Sequence, residues 1–290
     1  MSTTPPSMPP AKPPAVRVAK THDKEIVIVS HSNLFYWWPV WAVGFLVTIL
    51  SYMENYRMAF VPPGTETFRS AKVEGKRGDE QVTVEGRDVL VAPDGKHLPP
   101  AEAQGPHVRV AHNKSYGVVF VIVLLLVIVV TNVPLRGLWS FIVLIVCIFL
   151  TIIFHLLEWW EPILKALGDL HVHINVAGYF LFSLGLLAIW LVTFLFFDPQ
   201  VYMIFSPGQL RVCTEIGGGL SAHDTMGMVI QKQRNDLFRH WILGFGSGDL
   251  IVNTSGASAA HYDLPNVLFV GYKVRLIEEM LREKPVVQGQ

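Results

Sequence analysis

Charge is scarce in this chain. Asp, Glu, Lys and Arg make up 16% of its 290 residues, where soluble proteins carry about 25%. The two signs also cancel, 23 basic against 23 acidic. No net field is left to attract nucleic acid. Cysteine is nearly absent. Cys147 sits in an apolar run and Cys213 in a distant polar region, which excludes a disulfide framework and reads as two reduced structural residues. An apolar targeting segment at the start is missing too. MSTTPPSMPPAKPPAVRVAK is proline-rich and has no apolar stretch, so it is not read as a signal peptide. Residues 1–33 are expected to be a disordered tail with a lead-in, EIVIVSHS, that is strand-like or interfacial.

What the chain has instead is long apolar runs, at 34–53, 117–133, 138–157 and 176–197, none holding Asp, Glu, Lys or Arg. About 20 residues of helix cross the roughly 30 Å of bilayer hydrocarbon, so four membrane-spanning helices are expected. FYWWPVW and EWWEP supply interfacial aromatics. Asn132 to Gly137 makes a tight hairpin between the second and third runs, broken by Pro134 and Gly137. Lys12, Arg17, Lys20 and Lys24 in the tail and Arg136 in the hairpin contrast with Glu158, Glu161 and Asp169 against one Lys in the third loop. The positive-inside bias therefore places both termini in the cytoplasm, with the loops at 54–116 and 158–175 outside.

The loop at 54–116 contains QVTVEG, DVLVAPDGKHL and HVRVAH, short alternating patterns around a Pro93-Asp94-Gly95 turn. It is expected to be β-rich. After Phe197 the period changes to two. VYMIF, LRVCTEI, MGMVIQKQR and GDLIVNTSG read as strands, with breaks at Ser206–Gln209 and at Gly217 to Gly219. A closing helix follows. Asp263 is its expected cap, Pro265 its start, and Val270, Val274, Ile277 and Leu281 its apolar stripe. Residues 198–284 thus form an α+β domain, an antiparallel sheet capped by one helix, and 285–290 a tail.

The order VYMIFSPGQLRV, IQKQRNDLFRHWILGFGSGDLIVNT, YDLPNV and final helix resembles the bacterial pleckstrin-homology-like (PH-like) domains attached to multi-pass membrane proteins. The resemblance covers about 199–283. It implies a non-enzymatic protein of the bacterial cytoplasmic membrane whose cytoplasmic module binds a protein partner, a second copy or anionic lipid. It implies no cofactor. Four helices and a large first loop depart from simpler members of the group, which weakens any transfer of partners.

GFGSG, Gly244 to Gly248, invites comparison with a phosphate loop. A dinucleotide fingerprint needs GxGxxG before a helix start, whereas here the spacing is GxGxG and a strand follows. A turn or bulge between strands is the expectation. Lys232 and Arg234 share a strand face with Ile230, and Arg239 and Trp241 follow. These four are the candidate lipid- or partner-binding residues, each basic one worth about 1 kcal/mol at an anionic surface. His155 and Glu158 would share a helix face, with His171 and His173 across a short loop. Imidazole and carboxylate suit zinc, iron or copper, so a metal- or haem-binding redox protein is the alternative, although interfacial histidines without metal fit the pattern better. A transporter component ranks last, because the runs offer no intramembrane charge.

Overall fold

The computed structural model describes residues 25–77, 80–97, 105–133, 137–213, 219–234, 236–256 and 259–282. The expected tail at 1–24, the hairpin residues Pro134 to Arg136, the break at Gly217 and Gly218 and the end at 285–290 lie outside them. Four helical spans are long and apolar enough to cross a membrane: Asn33–Glu54, Ser115–Asn132, Leu138–Leu156 and Val176–Gln200. The first opens with a 3-10 turn, Asn33–Trp37, and continues as α1, Trp38–Glu54. Pro39 sits in its first turn, where the missing N–H takes no hydrogen bond from the helix. α2 is Ser115–Asn132 and α3 is Leu138–Leu156. The third loop is more structured than its sequence suggests, because Trp160–Asp169 forms an amphipathic helix, α4. α5, Val176–Val192, runs on through a π turn, Thr193–Phe197, and a 3-10 turn, Asp198–Gln200.

α1 packs on both α2 and α5 around Val40, Val47, Phe120, Val127 and Tyr179. α3 stands apart, with Ser140 its one buried residue. Gly44 sets the closeness of α1 and α5. A Cβ there would lie 1.9 Å from Ser183 Oγ and 3.0 Å from the Phe120 ring. Small residues let membrane helices approach in this way. Gly44→Val is therefore expected to cost about 1–3 kcal/mol by overpacking, read as a lower melting temperature in detergent. Ser183→Gly added to Gly44→Ala should recover most of what Gly44→Ala loses. A Gly44→Val protein as heat-resistant as wild type would show that the helices do not meet there.

At the far end of this bundle β2, Tyr56–Met58, pairs antiparallel with β5, Val108–Val110. Between them β3, Glu66–Arg77, and β4, Glu80–Val91, form a two-stranded ribbon. The register shifts twice, near Ser70 and Gly86, both at positive φ. One shift falls on each strand, so they compensate. Phe68 opposite Val89 and Val73 opposite Val84 stay on one face.

The other end carries the sheet domain. β6 (Tyr202–Ser206), β7 (Gln209–Cys213) and β8 (Ser221–Asp224) form a meander, and β9 (Val229–Gln233), β10 (Gly248–Asn253) and β11 (His261–Val267) form a second. α6, Val270–Arg282, closes the domain. The lead-in turns out to belong here. Its β-branched IVIV is β1, Ile26–Val29, which pairs antiparallel with β6, placing Ile28 opposite Met203. The first sheet runs β1-β6-β7-β8. The whole membrane region is thus an insertion between the first two strands of one sheet. Ile28, Met203, Phe205, Leu210, Leu250, Val252, Leu264 and Ile277 form a single core.

Two details of the closing segment differ from expectation. Asp263 and Pro265 are not a helix start but lie in β11, paired with β10. β11 is an edge of its sheet, where a residue without an N–H is tolerated. The helix begins at Val270 and buries Val270, Val274, Ile277 and Met280, whereas Leu281 is 40% exposed.

Candidate functional site

The segment Ser30 to Trp38 carries the chain from β1 into α1, under the sheet domain. Most of its buried polar groups find partners there, Ser32 Oγ being an exception. Tyr36 is completely buried. Its hydroxyl lies 2.9 Å from Asn266 Oδ1, 3.0 Å from Ser247 Oγ and 3.3 Å from His240 Nδ1. The direction of these bonds can be worked out from one end. Asn266 Nδ2 is 2.8 Å from the carbonyl of His31 and 3.1 Å from Asn33 Oδ1. A carbonyl only accepts, so Nδ2 must point there and Oδ1 must face Tyr36. Tyr36 therefore donates to Asn266, and its oxygen accepts from Ser247 or His240.

Asp249 is the charged centre of the network. It accepts from the Asn266 backbone N–H at 3.0 Å and from Arg239 at 3.0 Å, with His240 Nε2 at 3.6 Å. Asn266 can offer its N–H because it adopts φ 57°, a left-handed conformation asparagine tolerates. Burial pushes the Asp249 carboxyl up, but His240, the Asn266 N–H and the Arg239 guanidinium outweigh it and hold the group below the ordinary carboxylate range. The Arg239 guanidinium also lies over the Tyr36 ring, 6.0 Å from its centre.

A second pair closes the other side. His31 Nδ1 lies 3.0 Å from Asp198 Oδ2, and the Ser32 N–H donates to Asp198 Oδ1 at 3.2 Å. The His31 ring stacks on Phe194 and Phe35. Around this, Phe35, Tyr36, Val130 and Leu243 form an apolar cluster with Trp190 and Phe194 packed on it. Trp38 donates to the Leu243 carbonyl and Trp190 to that of Phe35. The junction therefore joins α1, the end of α5 and the sheet domain through oriented bonds as well as apolar contact.

Ser247, His240 and Asp249 have the composition of a hydrolytic triad. Their arrangement does not suit that chemistry. The serine touches Nδ1 and the aspartate lies near Nε2, and Ser247 is completely buried with its hydroxyl committed to Tyr36. What the arrangement supports is a fixed joint.

The four residues singled out from sequence divide. Arg239 lies inside the domain rather than on its surface. It is buried, because Asp249 draws it into the domain. Arg234 donates to the Gly246 carbonyl at 2.8 Å and lies over the Trp241 ring, so it braces the glycine turn. That turn, with Phe245 and Gly246 at positive φ, leads into β10. Lys232 is exposed on the edge strand β9, although it stands opposite the buried Leu250. Trp241 is 57% exposed beside exposed Ile242 and Phe245, and Phe245 stacks on Trp38 at the start of α1. Of the histidine set, His171 and His173 come together, their ring centres 6.4 Å apart, but the four do not form one group. α3 ends at Leu156 and Glu158 turns to φ 56°, so His155 and Glu158 do not share a helix face. His171 bonds back to the Asp169 carbonyl at 2.6 Å. Among the described residues no group of three or more His, Cys, Asp or Glu could hold a metal. Tyr36, Asp198, Asp249 and Asn266 escaped the sequence reading. The available signal was an acid directly after an apolar run, at Asp198, and an acid inside an alternating strand, at Asp249.

No family model, curated protein or solved structure matches the chain.

Proposed function

We propose that this protein is a non-enzymatic integral membrane protein that presents a PH-like module at the cytoplasmic face of a bacterial inner membrane, where the module binds a protein partner or a second copy. One observation carries the reading. β1 and β6 share a sheet although the entire membrane region separates them. The two ends of that region therefore lie on one side of the bilayer, and four crossings satisfy this where three or five would not. Two antiparallel meanders followed by one closing helix support the PH-like reading. The polar junction supports a module held rigidly rather than tethered. Exposed Trp241, Ile242 and Phe245 beside Trp38 suit the bilayer interface, which leaves Lys232 and the β9 edge for a partner.

The test begins with orientation. In a background lacking Cys147 and Cys213, Asp94→Cys on the loop is expected to react with an impermeant thiol reagent on intact cells. Ala259→Cys in the sheet domain should react only after permeabilisation. The reverse pattern would overturn the cytoplasmic placement. Proteins co-purifying in mild detergent should then be lost from Lys232→Glu, a surface change that leaves the core untouched. A co-purifying set identical to wild type would remove the β9 edge as the binding surface.

A further inference from the structure

At the end of the bundle opposite the sheet domain, a cavity of about 520 Å³ opens between α1 and α5. Its floor is helix surface, Thr48 and Tyr52 from α1 and Val176, Ala177 and Phe180 from α5. Its rim is β5, which contributes Arg109. The cavity is amphipathic, with an apolar floor of membrane helix and a cation where the helix meets the loop.

Among the described residues no carboxylate meets the charge at that rim. Among the described residues that line the cavity none is Asp or Glu. No described carboxylate lies within 4 Å of the Arg109 guanidinium, which rests instead over the Tyr52 ring, 4.4 Å from its centre. Glu54, two residues from Tyr52, is engaged elsewhere, accepting from the His112 N–H at 2.7 Å. Arg109 also stands directly opposite Arg57 in the β2–β5 pair. The Arg57 side chain donates to the Pro106 carbonyl at 3.2 Å and does not line the cavity. Arg109 is thus the one Lys or Arg among the described residues that line the cavity.

We infer that this cavity binds an anionic phospholipid of the surrounding leaflet, its phosphate on Arg109 and one acyl chain along the α1–α5 floor. Length and polarity both fit. The floor runs down at least one helical turn on each side, from Tyr52 to Thr48 and from Val176 to Phe180, and Ala177 and Phe180 are exposed toward the lipid. Guanidinium is the side chain best matched to phosphate oxygens. A free phosphate ion would use the rim but leave the apolar floor empty.

Native mass spectrometry of the full chain in detergent tests this, with dioleoyl phosphatidylglycerol, dioleoyl phosphatidylcholine or inorganic phosphate added. Phosphatidylglycerol should be retained roughly tenfold better than phosphatidylcholine, because both carry the phosphate but the choline cation of the second repels Arg109. Arg109→Gln should abolish that preference and Arg109→Lys keep part of it. Ala177→Trp, which fills the floor, should remove bound phosphatidylglycerol while leaving Arg109 in place. Millimolar inorganic phosphate should not displace the lipid. Equal retention of the two lipids, or phosphatidylglycerol held by Arg109→Gln as by wild type, overturns the inference. Displacement by phosphate alone overturns the lipid assignment in favour of a simple anion site. Should Arg109→Gln fail to give a monodisperse protein, Ala177→Trp decides: retention equal to wild type sinks the proposal.

Discussion

Ile28→Asp is expected to unfold the sheet domain, although Ile28 lies about 170 residues before the rest of it in sequence. Ile28 is completely buried against Met203, Phe205 and the α6 residues of the same core. An unpaired carboxylate there costs several kcal/mol, comparable with the total stability of a small domain. The membrane helices are held by lipid and should still insert. The variant should therefore reach the membrane with its C-terminal part open to protease. Ile277→Asp, on the helix that packs against β1, should behave in the same way, whereas Val27→Asp, at a half-exposed position on the same strand, should not. If Ile28→Asp resists protease as wild type does, β1 does not belong to the domain.

Asp249→Ala should be nearly as damaging, by another route. It leaves the Arg239 guanidinium buried without its carboxylate and takes from Asn266 the acceptor of its N–H. Removing one member of a buried pair costs about 3–5 kcal/mol. Asp249→Leu combined with Arg239→Met, which removes both charges, should recover much of the loss, and failure to recover would show that the Asn266 bond dominates. The same carboxylate gives the domain a pH dependence. Its folded pKa is held below the unfolded value of about 3.9, so its stabilisation is complete above that value. It disappears as the pH falls through the lower folded pKa. Acid melting of the domain, followed by protease resistance as the pH falls from about 5 to about 2, should show a decline that Asp249→Asn with Arg239→Met lacks.

How much of this was legible depended on whether the controlling interaction is local. The membrane spans could be read because length and absence of charge suffice, and each agrees with the helix it became to within a few residues. The alternating strands after residue 200 could be read for the same reason. The role of IVIV could not, because four β-branched residues say strand without naming a partner, and the partner lies beyond four helices. DLPN failed differently. Asp before Pro is a sound helix-start pattern, and only pairing with β10 makes it an edge strand. Arg239 looked like a surface cation because nothing local shows that Asp249 folds back onto it. The junction was missed as a whole for this reason. Its members come from five separate stretches of chain, and each has an ordinary local explanation.

The position of β1 also has a consequence for how the protein is made. At about 5–20 residues per second, the ribosome delivers IVIV roughly 10–35 s before β6 emerges to pair with it. During that interval an apolar strand waits without a neighbour, the situation in which strands aggregate. The charged residues just before it, Lys20, Asp23, Lys24 and Glu25, suit the guarding of such a strand. Closure of the sheet must then be the last event, after all four spans have threaded. A chain that mis-threads by one span leaves its two halves on opposite faces of the bilayer, where they cannot meet. Completion of this small sheet therefore doubles as a proofreading step, and only correctly inserted chains complete the domain.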